Sequence, residues 1–520
     1  MLSPSPTSVH DVLVRAAAAF GERPAVTGRS GSLTFGALLD RARRVAGGLL
    51  ALGLRPGDRV LEALPNDVEV IAVDIALSIA GLVRVPLNPR LGPREWSAIA
   101  ADCGARALVL GEHLSLPDGE GIDSHLHPEL LVLAGRERCG GSVHLDELAQ
   151  SPPAPVSRQV EPDDLAGVTY SSGTTGLPKG TRRTHRMRLA SAQAMAAAVI
   201  GDPGRDPVYL HAGPAIHTSG LFTLPFLAMG GHQVLLDHPR PAQIAAAIEE
   251  HTVTHLAVVP TVLQSLADLP DDARSSFVTL RMAAYAGAPM SGTAIRRAVE
   301  RVTPNLVQYY GSVEAMPPLS VLSTADHARG IGDEPGLLSS AGRPVDGLQL
   351  RIVDEQGKPV AVGDHGEITV RGAVVSPGYW GSGSRDDLPP PAVDGWLLTG
   401  DIGHLTDGYL YLTDRRGDLI ISGGYNVYPR EVETVAATVP GVKACAVVGV
   451  HDERWGQVIT LVYVAYPGHD PGDDEFASAF QALARHKRPR TRLRVTQLPL
   501  GATGKIDRRA VLARVESAGD

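Results

Sequence analysis

Short apolar runs rich in β-branched residues alternate along the chain with segments of helical period. Between Thr254 and Tyr310, the runs "THLAVVP", "RMAAYAG" and "LVQYY" favour strands, and "TVLQSLADL" and "GTAIRRAVERV" favour helices. This alternation predicts parallel strands joined by crossover helices. Ligands bind beyond the carboxyl ends of such strands. The segments "GAP" (Gly287 to Pro289) and "YGSVE" (Tyr310 to Glu314) are therefore expected on one rim of the sheet.

The pattern changes after Gly332. The segments "LQLRIVDEQGKPV" and "GEITVRG" predict a β-hairpin, and "GYLYLTDRRGDLIISGGYNVYP" predicts short strands with tight turns. The final part of the chain adds a helix ("REVETVAATV"), two strands ("ACAVVGV" and "ITLVYVAY") and a late helix. The predicted fold class is α/β, with a large N-terminal domain of parallel-rich sheets and helices plus a β-rich subdomain, and a small mobile α/β C-terminal domain.

Charge and composition exclude several classes of partner. The 520 residues carry 48 Lys+Arg against 57 Asp+Glu, a net charge of −9, without a basic block. Nucleic acid and anionic membrane surfaces are therefore disfavoured. The most hydrophobic run, Val68 to Val83, is interrupted by Glu69 and Asp74, and it predicts a buried helix rather than a membrane span.

Cysteine usage and the N-terminal segment favour a cytoplasmic protein. Cys103, Cys139 and Cys445 are too scattered for a metal knuckle and too few for a disulfide framework. The N-terminal segment "MLSPSPTSVHDVL" lacks the basic and apolar regions of a signal peptide. A reducing compartment fits both observations.

The stretch "YSSGTTGLPKG" (Tyr170 to Gly180) combines glycines, hydroxyls and one lysine. Glycines allow backbone N–H groups to form an anion-binding nest, and the hydroxyls and Lys179 add donors and charge, which suits phosphate. It is not a Walker loop, because a proline precedes Lys179, Gly180 follows it, and no Ser or Thr is placed to hold magnesium. Taken alone, the stretch could also be an ordinary surface loop.

Six motifs together carry a family resemblance: "YSSGTTGLPKG", "GAP", "YGSVE", "GWLLTGD", "DRRGDLIISGGYNVYP" and "GATGKIDR". They occur in the order and at roughly the intervals of the acyl-adenylate-forming superfamily, which includes acyl- and aryl-CoA synthetases, peptide-synthetase adenylation domains and beetle luciferases. The chain most resembles an AMP-forming carboxylic acid CoA ligase. The resemblance implies ATP, Mg²⁺, a carboxylic acid and coenzyme A.

The resemblance implies a nucleotide site made of a mobile phosphate loop, an adenine slot and a ribose site. Asp401 would accept hydrogen bonds from both ribose hydroxyls, and Arg415 would be a second ribose contact. Tyr310 would stack on the adenine beside the backbone of Gly287 and Ala288. A turn aspartate and a plain core tyrosine are the alternatives. The implied nucleotide contacts are Ser171, Ser172, Gly173, Thr174, Thr175, Gly176, Lys179, Gly287, Ala288, Pro289, Tyr310, Gly311, Ser312, Asp401 and Arg415.

The resemblance also implies three catalytic residues. Lys505, in "GATGKIDR", would place its ammonium between the substrate carboxylate and the α-phosphate, although a lysine near a C-terminus is normally a solvated charge. Glu314 would ligate Mg²⁺, which prefers carboxylate oxygen. His217, in "PAIHTSG", would lie at the inner end of the acyl pocket, where a satisfied core histidine is the alternative.

Two positions depart from the family pattern. The position after Ser312 is usually threonine, whose hydroxyl touches the α-phosphate, but here it is Val313, so Ser312 or another donor compensates or adenylation is slower. The hinge, commonly aspartate or lysine, is Gly417, where a swivel remains physically easy. The predicted domains are 1–416 and 417–520, with the hinge at Gly417.

The acceptor is better indicated than the acid. Adenylation domains for amino acids place an aspartate beside the position of His217, where Ile216 and Thr218 stand here, so amino acids are disfavoured. The pocket is expected from Leu221 to Phe226 and from Gln308 to Gly311, which does not identify the acid. In "SGGYN", Gly424 matches the wall of the pantetheine tunnel, which favours coenzyme A first and a carrier-protein phosphopantetheine second.

Two other classes of protein share parts of this pattern. A luciferase-like oxygenase would carry every motif but needs a specialised luciferin pocket. A non-catalytic nucleotide-binding regulator should have lost Lys505, Glu314 or Asp401, and all three are present. A monomer or a homodimer is expected.

Overall fold

The computed structural model describes residues 6–88, 91, 93–112, 130–135, 141–156, 160–171, 179–237, 239–381, 392–415, 418–422, 425–452, 455–501 and 506–519. The α-helices within these ranges are α1 Val9–Phe20, α2 Phe35–Ala51, α3 Val68–Ala80, α4 Pro93–Cys103, α5 Leu145–Leu148, α6 His185–Ala194, α7 Thr223–Ala228, α8 Pro241–Glu250, α9 Pro260–Ala267, α10 Gly292–Arg301, α11 Thr324–Ile331, α12 Pro429–Ala436, α13 Asp473–Ala479 and α14 Arg508–Gly519.

The strands follow in the same numbering along the chain. They are β1 Pro24–Gly28, β2 Gly31–Thr34, β3 Arg59–Ala63, β4 Val83–Pro86, β5 Ala107–Gly111, β6 Leu130–Ala134, β7 Val143–His144, β8 Leu165–Ser171, β9 Lys179–Thr184, β10 Val208–His211, β11 His232–Leu235, β12 His255–Val258, β13 Met282–Ala286, β14 Leu306–Tyr310, β15 Ser320–Leu322, β16 Arg343–Pro344, β17 Gln349–Val353, β18 Gly366–Arg371, β19 Ala392–Val393, β20 Trp396–Thr406, β21 Tyr409–Arg415, β22 Ile420–Ser422, β23 Tyr425–Val427, β24 Val442–Asp452, β25 Gly456–Ala465 and β26 Thr491–Arg494.

Two large sheets form the N-terminal part. The first sheet has the order β16-β15-β14-β13-β12-β10-β11-β1-β2, and its strands β10 to β14 pair in parallel. The second sheet has the order β7-β6-β5-β3-β4-β8-β9. The alternation predicted between Thr254 and Tyr310 is present as β12, α9, β13, α10 and β14. The predicted α/β class is therefore confirmed.

The apolar run from Val68 to Val83 is a helix only in part. Asp67 caps the start of α3 by accepting from the Val68 N–H, and every residue from Val70 to Ala80 is buried. The helix ends at Ala80 because Gly81 adopts a left-handed conformation with φ of 69°, and strand β4 begins at Val83. The prediction of one helix as far as Val83 was therefore too long.

The later part of the chain follows the predicted order. Strands β17 and β18 form the expected antiparallel pair, which β20, β19 and β21 extend. The C-terminal sheet has the order β23-β22-β25-β24, with β26 beside β25. Strand β21 ends at Arg415 and β22 begins at Ile420. Gly417 lies outside the described residues, so the domain boundary and the hinge stay predictions.

Membrane insertion was not expected from the sequence. Across the described ranges, we find no helix that is both long and apolar enough to cross a bilayer.

Candidate active site

The carboxyl ends of β13 and β14 form the rim on which the site is built. The two strands are parallel neighbours, with Ala286 opposite Tyr309. Gly287 follows β13 with a φ of 92°, which favours glycine. Gly311 follows β14, and a Cβ there would lie 2.7 Å from Pro317. The "GAP" and "YGSVE" segments are therefore adjacent, as the sheet pattern predicts.

Tyr310 and Asp401 meet directly at this rim. The Tyr310 hydroxyl donates a hydrogen bond to Asp401 Oδ2, and both side chains are buried. Asp401 pairs with Arg415 across strands β20 and β21. The three residues that were predicted to contact adenine and ribose are thus neighbours. Tyr310 also packs in a core cluster with Met187 and Leu319, so part of the ring is core, as the alternative interpretation holds.

Glu314 is held by a tyrosine that the sequence reasoning missed. The Tyr379 hydroxyl donates to Glu314 Oε1 over 3.2 Å, and Lys179 Nζ lies 5.9 Å from the centre of the Tyr379 ring. Burial, followed by the Glu314 charge, raises the pKa of Tyr379, so its hydroxyl stays protonated as a donor. A bridge between Thr181 and Tyr379 brings the two segments together. Lys179, which was predicted to belong to a phosphate loop, and Glu314, the expected metal ligand, therefore share one neighbour.

His217 lies at the start of a short 3₁₀ helix, Thr218–Phe222, and it lines a cavity. A buried polar network holds this helix through Ser219. His211 Nδ1 and Ser219 Oγ are 2.9 Å apart, His211 Nε2 and Gln233 Oε1 are 2.9 Å apart, and the Tyr209 hydroxyl lies 3.1 Å from Ser219 Oγ. Burial lowers the pKa of His211 to about 4, so the network contains a neutral imidazole. His217 itself faces the cavity and is not a fully buried core histidine.

Asn66 fixes the other side of the His217 loop. Its amide group donates to the carbonyls of Gly213 at 2.8 Å and Leu236 at 2.9 Å, and its Oδ1 accepts from the Ala215 N–H at 2.7 Å. Asn66 follows β3 of the second sheet, whereas the loop follows β10 of the first. One buried side chain therefore joins the two sheets at the site.

A cavity of about 190 Å³ opens beside these residues. It is lined by His217, Gly287, Ser312 and Val313, and by Leu221, Thr223, Leu224, Tyr309 and Gly311 from the segments predicted for the acyl pocket. Ser312 Oγ accepts from the Ala315 N–H at 3.1 Å and so stabilises its own turn. The Ser312 hydroxyl hydrogen is still available to a ligand, and the Val313 side chain forms part of the wall.

Described residues lie on both sides of the segment that carries Lys505, which is itself outside the described ranges. Leu500 and Ile506 form an antiparallel bridge. Arg508 donates to both carboxylate oxygens of Glu433 and, over 3.0 Å, to the Val447 carbonyl. Glu433, followed by Asp414 and Asp418, outweighs burial and raises the pKa of Arg508. A partly buried ion pair between Arg508 and Glu433 therefore holds the start of α14, and the bridge holds Leu500 and Ile506.

Comparisons with known proteins agree with this geometry. The family model described as AMP-binding enzyme matches residues 13–380, and the AMP-binding enzyme C-terminal domain matches residues 431–505. The chain belongs to the AMP-binding enzyme family.

Relatives of this AMP-binding enzyme include characterised ligases. The chain is 36% identical to a feruloyl-CoA synthase of Amycolatopsis sp over 481 residues, which cover 91% of this chain and 92% of the relative. An amide bond synthetase from Marinactinospora thermotolerans superposes with a TM-score of 0.86 at 30% identity, covering 98% of this chain and 99% of the other. The o-succinylbenzoate CoA synthetase of Bacillus subtilis, solved with ATP and magnesium ion, superposes with a TM-score of 0.80 at 28% identity. The match covers 96% of this chain and 99% of the other.

These comparisons confirm the expected family and the expected enzyme class, an acid–thiol ligase. They do not test the individual site residues of this AMP-binding enzyme. Some of those residues also lie outside the described ranges: Ser172, Gly173, Thr174, Thr175, Gly176, Gly417, Gly424 and Lys505. The backbones of Ser171 and Arg415 lie at the ends of β8 and β21, and their side chains are not described.

Proposed function

We propose that this enzyme activates a compact carboxylic acid as its acyl-adenylate, using ATP and Mg²⁺, and then transfers the acyl group to coenzyme A. The observation that carries the proposal is one cavity lined by His217, Gly287, Ser312 and Val313, on the rim that also carries the Tyr310–Asp401 pair and Glu314. This arrangement would bring an acid, a nucleotide and a metal ion to one place.

The chemistry proceeds in two steps. A carboxylate oxygen of the acid attacks the α-phosphorus of ATP, and the bond from that phosphorus to the bridging oxygen breaks as pyrophosphate leaves. The thiol sulfur of coenzyme A then attacks the acyl carbon. The bond from that carbon to the phosphate oxygen breaks, AMP leaves with this oxygen, and the thiol proton is released. We assign Lys505 and Lys179 to stabilisation of the converging and departing negative charge in the first step.

The residues present fit a magnesium ion. Glu314 offers one carboxylate, oriented by the Tyr379 hydroxyl at 3.2 Å. Mg²⁺ commonly binds through one or two carboxylates together with phosphates and water, so a dedicated cage of protein ligands is not required. Consistent with this, the described residues contain no cluster of three or more His, Cys, Asp or Glu that could form such a cage. The ion would neutralise phosphate charge when bound.

Cavity size favours a small acid. A cavity of about 150 Å³ holds a molecule such as benzene, so about 190 Å³ suits one ring with short substituents or a short chain. An extended long-chain acid would need a deeper channel than the described residues enclose.

The deciding experiment measures the two half-reactions separately. A panel of compact acids is assayed for ATP-dependent pyrophosphate release, and thioester formation is followed with coenzyme A and with a phosphopantetheinylated carrier protein. Lys505→Ala should slow adenylation by about 10²- to 10³-fold, because its ammonium is needed as the two anions converge. Thioester formation from a chemically prepared adenylate should survive.

Lys358→Ala is the control, because this exposed lysine lies between β17 and β18 and does not line the cavity. Adenylation at the normal rate in Lys505→Ala would contradict the assignment of Lys505. Loss of both half-reactions together with a lower melting temperature would indicate a folding role.

A further inference from the structure

Three arginines line the cavity, and the proposed activation of a carboxylic acid assigns no role to any of them. Arg84, Arg183 and Arg188 all line it, together with Asp74. Arg188 forms a bidentate pair with Asp74 at 2.9 and 2.6 Å, and Arg84 pairs with Glu62 and lies 3.6 Å from Asp74. We call these five residues, Glu62, Asp74, Arg84, Arg183 and Arg188, the arginine cluster.

Arg183 is the unpaired member of the arginine cluster. In the part of the chain that the structure describes, no hydrogen bond or ion pair reaches its guanidinium, and its Nε is buried. Three guanidinium groups therefore face two carboxylates, which leaves one positive charge in excess. Burial, followed by Arg188, lowers the pKa of Arg183 to about 10, which shows how poorly the protein alone stabilises this charge.

The remaining charges of the cluster do not remove this excess. The Asp74 carboxylate is already paired with Arg188 and lies beside Arg84, and these two arginines lower its pKa to about 2 despite its burial. Glu62 is fully buried, its Oε1 has no partner among the described residues, and burial raises its pKa. Any protonation of Glu62 would increase the positive excess. Glu314, whose charge acts to raise the pKa of Arg183, is assigned to Mg²⁺.

Sheet register places two of the arginines on the same face. Arg84 of β4 pairs with Gly167 of β8, and Gly167 pairs with Arg183 of β9. Directly paired residues project from the same face of a sheet, so Arg84 and Arg183 lie on one face with a glycine between them. Gly167 also lines the cavity and places no side chain between the two arginines, and even a Cβ there would lie 2.9 Å from the Arg84 carbonyl oxygen.

Arg183 lies away from Lys179, the described end of the expected phosphate loop. Arg183 is four residues after Lys179 on the same strand, which corresponds to about 13 Å along β9 at roughly 3.3 Å per residue. Lys179 is the residue assigned to the departing phosphates. An anion that reaches Arg183 is therefore better explained as a distant part of the acid than as the triphosphate.

We propose that the acid substrate carries a second carboxylate, and that Arg183, aided by Arg84, binds it. The inference rests on the proposed function and narrows its substrate to compact dicarboxylic acids. A planar guanidinium binds a carboxylate through two parallel hydrogen bonds, and in a buried site this contact is strong because the alternative is an unpaired charge.

The test uses pairs of acids that differ only at the distal end. Glutarate is compared with pentanoate, adipate with hexanoate, and benzene-1,4-dicarboxylate with 4-methylbenzoate, by ATP-dependent pyrophosphate release on the full-length enzyme. In at least one pair, kcat/KM for the diacid should exceed that for the monoacid by about 100-fold. Arg183→Met should abolish this preference by raising KM for the diacid, and it should leave KM for ATP unchanged. Arg183→Lys should retain part of it.

Arg182→Met is the matched control. Arg182 is the next residue on β9, so its side chain projects to the opposite face of the sheet, and it does not line the cavity. The diacid preference should be unchanged in this variant. The melting temperature of Arg183→Met should be equal to or above that of the wild type, because the substitution removes an unpaired buried charge. The preferred diacid alone should raise the melting temperature of the wild type and not that of Arg183→Met.

Other outcomes separate this inference from the proposed function. Equal or better turnover of the monoacid in every pair would overturn the inference and leave acid activation intact. A rise in KM for ATP in Arg183→Met would assign the arginine to phosphate, and a lowered melting temperature with an unchanged acid preference would make it structural. Either result overturns the inference. Absence of pyrophosphate release with every acid would overturn the proposed function and the inference with it.

Discussion

Val313 forms part of the cavity wall at the position where the family pattern has a threonine. Threonine is nearly the same size as valine and would add a donor. Val313→Thr should therefore leave adenylation unchanged or accelerate it by up to about tenfold, the effect of one hydrogen bond. Pre-steady-state pyrophosphate release measures the rate. Val278→Thr, at a position that is 81% exposed, controls for the substitution itself. A large loss in a folded Val313→Thr enzyme would place the side chain against an apolar part of the acid.

Tyr379 orients the proposed metal ligand through its hydroxyl. Mutation of a hydrogen-bond partner of a metal-ligating carboxylate typically lowers metal affinity or activity by 10- to 100-fold. Tyr379→Phe should therefore raise the Mg²⁺ concentration for half-maximal adenylation by roughly tenfold, with little change in the rate at saturating Mg²⁺. A Mg²⁺ titration of the rate tests this. Tyr411→Phe, whose ring stacks on His404 elsewhere, should behave like the wild type. An unchanged Mg²⁺ dependence in Tyr379→Phe would contradict the role.

Single residues show where sequence reasoning reaches its limit. Asp401 and Glu314 stand within recognisable motifs, so a resemblance to a family could predict their roles. Tyr379 and Arg183 could not be predicted in this way, because their surroundings depend on pairing between distant segments. Tyr379 forms a bridge with Thr181, and Arg183 aligns with Arg84 through Gly167. Such partners, far apart along the chain, cannot be obtained from local spacing.

At the scale of elements, hydrophobic period predicted most strands and helices between Thr254 and Tyr310. It failed at Val68 to Val83, because a buried helix and a buried parallel strand are both continuously apolar, and only the backbone at Gly81 separates them. The two interrupting acids of that run are explained by ion pairs: Glu69 pairs with Arg41, and Asp74 with Arg188.

The segment between β21 and β22 carries the predicted hinge. If the C-terminal domain turns at Gly417, then Gly417→Pro, which fixes φ, should hold one orientation. Adenylate should still form, whereas thioester output should fall by at least about tenfold. Rapid-quench measurement of both products tests this, with Gly417→Ala, which does not fix φ, as the control. Equal loss in both half-reactions would refute the hinge.

For the whole molecule, buried histidines govern stability in mild acid. Burial lowers the pKa of His185, His211 and His255 to about 4 from the usual 6.5, and each side chain is at most 1% exposed. Below pH 6.5 the unfolded chain binds protons that the folded protein does not, so stability should decrease as the pH falls from 6.5 to 4. Each histidine contributes a slope of up to about 1.4 kcal/mol per pH unit.

Melting temperatures measured between pH 7.5 and 4.5 test this expectation. His211→Gln keeps hydrogen-bonding groups and removes one titrating site, so it should flatten the pH dependence by about one proton. His451→Gln, on β24 and not fully buried, is the control. Constant melting temperatures between pH 6.5 and 4.5 would refute the expectation. Asp74 contributes only at lower pH, because its pKa is about 2.

Asn66 has a consequence for the modularity of the enzyme. Because one amide from the second sheet holds the loop that positions His217 on the first, neither half of the N-terminal region carries a complete acid pocket by itself. Exchanging the His217 loop between related enzymes to change their acid preference would transfer the pocket wall without its anchor. A productive chimaera should inherit the β3–α3 connection and the β10–α7 connection from the same parent, since these two distant stretches of chain behave as one transferable unit.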